Sequence, residues 1–154
     1  MKRIFVLSDS HDAIGMLELC AQYIEENNFD RIIHLGDFRK DAEWLEERLG
    51  RKLEAVPGNC DFFSHDIREI IIRVEKVNIF LCHGDKYGVK IGYDRLSYHA
   101  DELGCRLALF GHTHQAFSAD IGGVMLVNPG TLLNGRAAVI EIDGDRINVS
   151  HVRV

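Results

Sequence analysis

Residues 3–12 read Arg-Ile-Phe-Val-Leu-Ser-Asp-Ser-His-Asp, an apolar run that changes abruptly into polar and charged side chains. A short apolar run of this kind predicts a buried β-strand, here residues 3–8. Asp9 and His11 follow directly, two positions apart. Carboxylate and imidazole groups are common metal ligands, so this one stretch predicts both the first strand and the beginning of a functional site.

Strands and helices alternate through the first part of the chain, which predicts a β-α-β-α-β unit with a largely parallel sheet. The predicted helices run from Ile14 to Asn27-Asn28 and over 41–49, with Asp41 as N-cap and Gly50 as stop, and the further strands are 31–35 and 52–56.

The second part of the chain predicts mainly hairpins, with one helix. The predicted strands are 68–75, 77–82, 106–110, 115–121, 123–128, 136–143 and 145–153, and the helix covers roughly 93–103. Together these elements predict one α/β domain over residues 1–154, with mixed sheets and helices on the outside.

The composition excludes several classes of protein. The formal charge of −6 argues against general nucleic-acid binding and against binding to anionic membranes, because both usually need a cationic surface. An anionic substrate stays compatible, because bound metal ions can supply local positive charge. The first apolar run is too short for a signal peptide or a membrane span, so we expect a cytoplasmic protein.

Four cysteines are spread along the chain without a C-x-x-C pair, which excludes a zinc-finger spacing and makes a disulfide framework unexpected. Cys20, Cys82 and Cys105 lie in apolar contexts and are interpreted as small buried side chains. Cys60 instead lies in a polar cluster.

Each of five apolar runs ends in a short polar cluster. Because ligands gather outside the carboxyl ends of strands in α/β sheets, we expect the polar side chains of these clusters to converge. The clusters are Asp9-x-His11, Gly36-Asp37, Gly58-Asn59-Cys60-Asp61, His83-Gly84-Asp85 and Gly111-His112-Thr113-His114. The seven candidate ligands are Asp9, His11, Asp37, Asn59, His83, His112 and His114.

This mixture of imidazole and oxygen donors suits manganese, iron, zinc, nickel or cobalt. Seven protein ligands exceed what one such ion takes while a position stays open, so two ions that share one carboxylate fit better. Such pairs lie about 3.5–4 Å apart and act on both the attacking and the leaving oxygen of an in-line displacement.

Taken singly, the candidates have structural alternatives. Asp9 could cap the following helix, Asn59 could be a left-handed turn residue, and His83 could be a hydrogen-bonded residue at a strand end. His112 and His114 have the two-residue period of a strand. The other histidines are interpreted as a satisfied core residue, His34, and as surface or structural residues, His65, His99 and His151.

The order of these motifs resembles the calcineurin-like metallophosphoesterase family, which is marked by D-x-H, G-D, G-N-H-D/E, H-G and G-H-x-H. The resemblance covers nearly the whole chain. The small size, Tyr87-Gly88-Val89-Lys90 and Asn128-Pro129-Gly130-Thr131 resemble the single-domain, YfcE-like phosphodiesterase branch.

The resemblance implies a four-layer α/β/β/α sandwich and a dinuclear site, with manganese as the first choice of ion. It implies that a metal-bridging hydroxide attacks the phosphorus of a small phosphate ester, with Asp37, Asn59 and His83 as catalytic residues. Asp61 and Asp12 are candidate acceptors for the ligand histidines. The implied ligands are Asp9, His11, His114 and bridging Asp37 for one ion, and Asp37, Asn59, His83 and His112 for the other.

Two positions depart from the family pattern. Cys60 stands where phosphatases carry a histidine thought to protonate the leaving group, and Pro57 where several carry a phosphate-contacting arginine. Both departures favour a phosphodiesterase over a phosphomonoesterase. A non-catalytic scaffold, like the retromer subunit of this fold, is the alternative, and a nuclease is disfavoured by the lack of a basic face. Homo-oligomerisation stays open.

Overall fold

The computed structural model describes residues 1–61 and 68–154. The interpretation of His65 therefore lies outside the described residues. The described strands are β1 (Lys2–Leu7), β2 (Arg31–His34), β3 (Glu54–Ala55), β4 (Glu69–Val74), β5 (Val77–Cys82), β6 (Leu107–Leu109), β7 (Phe117–Ile121), β8 (Val124–Asn128), β9 (Arg136–Asp143) and β10 (Arg146–Arg153). The α-helices are α1 (Ile14–Asn27), α2 (Arg39–Leu49) and α3 (Asp94–Glu102).

The strands form two five-stranded sheets, in the orders β10-β9-β1-β2-β3 and β4-β5-β6-β8-β7. In the first sheet β1, β2 and β3 are parallel, while β9 and β10 are antiparallel additions. In the second sheet β5, β6 and β8 are parallel, with β4 and β7 antiparallel at the edges. The predicted mixed sheets are confirmed.

Alternation along β1 explains the layers. Ile4 and Val6 point into a core shared with Ile79 of the second sheet, so this core lies between the two sheets. Phe5 and Leu7 point to the opposite face and pack with residues of α1 and α2. A strand covered on both faces must be apolar throughout, which accounts for the continuous apolar run.

A third core covers the outer face of the second sheet. Leu96 and Ala100 of α3 pack there with Phe80, Ala108 and Phe110. The order of layers is therefore helix, sheet, sheet, helix, and the expected α/β/β/α sandwich is confirmed. Within the described ranges, no helix is long and apolar enough to cross a membrane.

The start of α2 corrects one prediction. The helix begins at Arg39, two residues earlier than predicted, and the residue at its N-cap position is Phe38, without a side-chain cap. Asp41 is buried, and its carboxylate accepts hydrogen bonds from Ser10 Oγ at 2.5 Å and from the Asp12 backbone N–H at 2.9 Å. Asp41 is therefore not an N-cap, because its side chain serves the neighbouring loop.

The predictions for Gly50, for three of the cysteines and for His34 are confirmed. Gly50 ends α2 in a left-handed conformation, as predicted. Cys20, Cys82 and Cys105 are buried free thiols. His34 is fully buried with both ring nitrogens in hydrogen bonds, so its interpretation as a satisfied core residue is confirmed.

The core between the sheets should dominate stability. Ile79 is fully buried in it, so Ile79→Ala should lower the free energy of unfolding by about 2–5 kcal/mol. Ile91 is 97% exposed, and Ile91→Ala should change the free energy of unfolding by less than about 0.5 kcal/mol. Urea unfolding of both variants measures the difference, and equal effects would contradict this description of the core.

Candidate metal centre

The seven candidate ligands lie on the loops that follow β1, β2, β3, β5 and β6, and the structure brings all of them together. On one side, His114 Nε2 lies 3.3 Å from Asp9 Oδ1 and 3.3 Å from His11 Nε2. His11 Nε2 is 3.9 Å from Asp9 Oδ1. Asp9, His11 and His114 thus form a three-donor cluster able to hold a metal ion.

The second group adjoins the first. His112 Nδ1 lies 3.1 Å from Asn59 Oδ1 and 3.2 Å from His83 Nε2. Asp37 Oδ2 is 3.4 Å from His83 Nε2 and 3.9 Å from His11 Nε2. Asp37 therefore lies between the two groups, where a shared carboxylate is expected. Asp9 is also close to the second group, with Oδ1 3.9 Å from His83 Nε2.

One buried atom indicates that the cluster is built for a cation. Asp9 is fully buried, and its Oδ1 has no hydrogen-bond partner among residues 1–61 and 68–154. Its Oδ2 accepts from Ser8 Oγ and from the backbone N–H of His112. An unpaired buried carboxylate oxygen is costly, because the charge has lost its water and gained no partner. A divalent ion among these donors would remove that cost, so the residues fit the metal that the motifs imply.

The pKa shifts of Asp37 and His112 agree with this use, whereas that of His83 does not in the metal-free protein. Burial acts to raise the pKa of Asp37, but His83 and the hydrogen bonds from Cys60 outweigh it, so the pKa lies well below its usual range. Burial, reinforced by His83, lowers the pKa of His112 and favours the neutral ring that can bind a metal. For His83 burial is outweighed by Asp37 and Asp9, which raise its pKa in the metal-free protein.

The backbone at the site is unusual. Five of the seven candidates have left-handed conformations, with φ between 41° and 72°: Asp9, His11, Asp37, His112 and His114. Such conformations cost residues other than glycine about 1–3 kcal/mol each and persist where the surroundings enforce them. They are typical of functional sites. Asn59 does not have a positive φ, so its alternative as a left-handed turn residue is wrong.

Two motif glycines are required by close approach. A Cβ on Gly58 would collide with the carboxylate of Asp37. A Cβ on Gly111 would collide with the Ser8 hydroxyl and lie 2.7 Å from Asp9 Oδ2. The glycines of the G-N and G-H motifs therefore leave room for the two carboxylates.

A buried polar network lies beneath the loop that follows β1 and was not predicted from the sequence. Ser10 Oγ lies 2.8 Å from His34 Nε2 and hydrogen-bonds Asp41, while His34 Nδ1 accepts from the Gly36 backbone N–H. The network ties the loop that carries Asp9 and His11 to the loop that carries Asp37. The sequence shows that polar residues stand within predicted buried elements. It does not show which residues they pair with.

The predicted role of Asp61 as a hydrogen-bond acceptor for the candidate ligand histidines needs correction. His83 Nδ1 lies 2.8 Å from the Leu35 carbonyl oxygen and donates to it, which leaves Nε2 free for a metal. Asp61 instead accepts from the backbone N–H groups of Gly58, Asp37 and Arg39, and so positions two ligand loops. Asp9 does not cap α1, whose N-cap position is occupied by Ala13 without a side-chain cap.

The Asn128-Pro129-Gly130-Thr131 segment connects further loops. Asn128 Nδ2 donates to the Gly111 carbonyl and to Thr113 Oγ1, each at 3.0 Å. Thr131 Oγ1 donates to the Asp9 carbonyl at 2.8 Å. Both side chains are buried, so this segment holds the first and fifth ligand loops in place.

The cluster opens to solvent on one side. His114 is 41% exposed, whereas Asp9 and His83 form the buried floor. Cys60 borders the cluster, and its thiol lies within 4.8 Å of ligand atoms of His11 and Asp37.

Comparison with known proteins agrees with this arrangement. A family model for the calcineurin-like phosphoesterase superfamily domain matches residues 1–151. A probable metallophosphoesterase of Bacillus subtilis (strain 168), YsnB, is 30% identical over 152 residues, which are 95% of this chain and 88% of the relative. A phosphodiesterase of Methanocaldococcus jannaschii is 25% identical over 83% of this chain and 82% of its own length.

Solved structures share the fold. An uncharacterised Streptococcus pneumoniae protein, a predicted phosphoesterase, superposes with a TM-score of 0.80 at 25% identity and covers 99% of this chain and 89% of its own. Vps29 of Entamoeba histolytica, in a zinc complex, has a TM-score of 0.76 at 18% identity over 99% and 98% of the two chains, which shows the fold alone.

The four-layer fold and the Asp/His cluster define a class of metal-binding α/β sandwich proteins. Within that class, the chain belongs to the calcineurin-like phosphoesterase superfamily.

Gly111 offers a test of the ligand geometry. Gly111→Ala places a methyl group against Asp9, so manganese affinity should fall by about tenfold or more, the scale of change seen when metal-site partners are disturbed. Gly15→Ala is the matched control, because a Cβ there meets nothing within 4 Å and alanine favours α1. Isothermal titration with manganese compares the two, and unchanged affinity in Gly111→Ala would contradict the packing described.

Proposed function

We propose that the protein is a dinuclear-metal phosphoesterase that acts on phosphodiesters. The observation that carries the proposal is the position of Asp37 between two groups of donors, next to the unpartnered oxygen of Asp9. One ion would be held by Asp9, His11, His114 and Asp37, and the other by Asp37, Asn59, His83 and His112. Manganese is the proposed ion of the hydrolytic form.

The chain prepares this site before any ion binds. Asp37 is ionised at neutral pH, His112 is neutral, and the hydrogen bond from His83 Nδ1 to Leu35 aims Nε2 at the cluster. When bound, two divalent ions lower the pKa of a water and neutralise charge on the oxygens of an in-line displacement. The exposed side at His114 leaves room for a small phosphate ester to approach.

Cys60 and Pro57 support a diester substrate. Burial, together with the hydrogen bond to Asp37 and the charge of that carboxylate, raises the pKa of Cys60 to about 11. Such a thiol is a poor general acid near neutral pH, so leaving groups that need protonation are handicapped. Pro57 stands where several phosphatases carry a phosphate-contacting arginine. A singly charged diester suits such a site better than a dianionic monoester does. The similarity to a phosphodiesterase of M. jannaschii adds support.

A non-catalytic scaffold is the second candidate, because Vps29 of E. histolytica has this fold. Loss of metal ligands would favour that role. Here all seven donors are present, and each lies within 3.4 Å of at least one other, which supports the enzyme.

The number of ions is the first test of the proposal. Elemental analysis of manganese-loaded protein should give two ions per chain, and Asp37→Asn should lower both that number and the hydrolysis rate, because the shared carboxylate is lost. His151→Gln is the control, since that residue lies in β10 and its ring nitrogens make no hydrogen bond to any residue that the structure describes. One ion or none in the unaltered protein would refute the dinuclear site.

Substrate class is the second test. The protein should hydrolyse aryl diesters with good leaving groups much faster than alkyl monoesters, as measured by product release with manganese. Cys60→His should raise the monoester rate more than the diester rate, because general acid catalysis contributes about 10²–10⁴-fold where the leaving group is basic. If the unaltered protein prefers alkyl monoesters, the assigned role of position 60 is wrong.

A further inference from the structure

Cys60 supplies a donor at the centre that the seven-ligand set does not use. Its Sγ, a ring nitrogen of His11 and a carboxylate oxygen of Asp37 all lie within 4.8 Å of one another. The backbone N–H of Cys60 donates to Asp37 Oδ1 at 2.8 Å, which fixes the loop against that carboxylate. The thiol is thus held at one corner of the cluster and is partly accessible.

The donor set at this corner is one that zinc prefers. Zinc binds cysteine sulfur at about 2.3 Å, histidine nitrogen at about 2.0–2.1 Å and carboxylate oxygen at about 2.0–2.2 Å. Donors of a single ion therefore lie about 3–4 Å apart, so small side-chain rotations would bring these three atoms to one ion. Manganese, by contrast, favours oxygen donors and gains little from sulfur.

A second observation points to a cation at the same place. Asp9 Oδ1 is buried, has no hydrogen-bond partner in the described part of the chain, and lies 3.9 Å from His11 Nε2. The His11 ring therefore adjoins both the unpartnered oxygen of Asp9 and, in a separate group of donors, the thiol of Cys60.

We infer that Cys60 is an additional sulfur ligand of the centre, and that it gives the site a preference for thiophilic divalent ions such as zinc and cobalt. The inference rests on the proposed metal centre. In the metal-free protein the thiol is hydrogen-bonded to Asp37. On binding a thiophilic ion, the S–H bond would break, the sulfur electron pair would bind the ion, and the proton would leave to water.

Metal affinity separates this role from a structural one. Zinc and manganese dissociation constants should be measured by competition for the unaltered protein, Cys60→Ser and Cys60→Ala. Both variants should bind zinc at least about tenfold more weakly, while their manganese affinity stays within about twofold of the unaltered protein. Cys105→Ala is the matched control, because Cys105 follows α3 and is buried in the core that covers the outer face of the second sheet. It should change neither constant.

Cobalt gives an independent signature. The cobalt-loaded protein should show a near-ultraviolet sulfur-to-cobalt charge-transfer absorption that is lost in Cys60→Ser and kept in Cys105→Ala. Visible cobalt bands without charge transfer, or an unchanged ratio of zinc to manganese affinity in Cys60→Ser, would overturn the sulfur ligand but leave the proposed centre intact. Failure of the unaltered protein to bind any of the three ions would overturn both.

Discussion

The structure depends on placing two carboxylates, Asp9 and Asp37, almost out of reach of water at the ends of neighbouring strands. A buried charge without hydrogen bonds is costly, and one oxygen of Asp9 accepts none from the described residues. The four-layer sandwich makes the arrangement tenable, because the ends of its parallel strands bring four imidazoles to the same place. The unmet charge is what makes the site receptive to a cation.

The surrounding loops are shaped by that demand. Left-handed backbone is unfavourable, and five of the candidate ligands adopt it. Hydrogen bonds from Ser10 to Asp41 and from the Arg39 backbone to Asp61 help to hold the loops in these conformations. Glycines stand where any side chain would strike a carboxylate. Stability is supplied by the apolar cores and local strain is concentrated at the site, so the two requirements are met by different parts of the chain.

Position 60 illustrates how a single residue alters what such a site does. A histidine there could donate a proton, whereas the thiol of Cys60, held against Asp37, is a poor acid and a good soft ligand. Under the two proposals made above, one substitution would bear on both the leaving groups that the site tolerates and the ions that it prefers. The two effects have the same origin, which is the closeness of this side chain to the shared carboxylate.

The strands and the convergence of the seven candidate side chains were predictable from the sequence, because apolar periodicity and short motifs are local and each polar cluster follows an apolar run. The order of the four layers came from the resemblance to the family. The hydrogen-bond partners of Asp41, the backbone groups that Asp61 holds and the network around His34 were not predictable. A polar side chain in a buried element must find a partner, but the sequence does not say which, since Ser10 and Asp41 are 31 positions apart. Only the tertiary structure decides such pairings, because the packing of sheets and helices sets which loops meet.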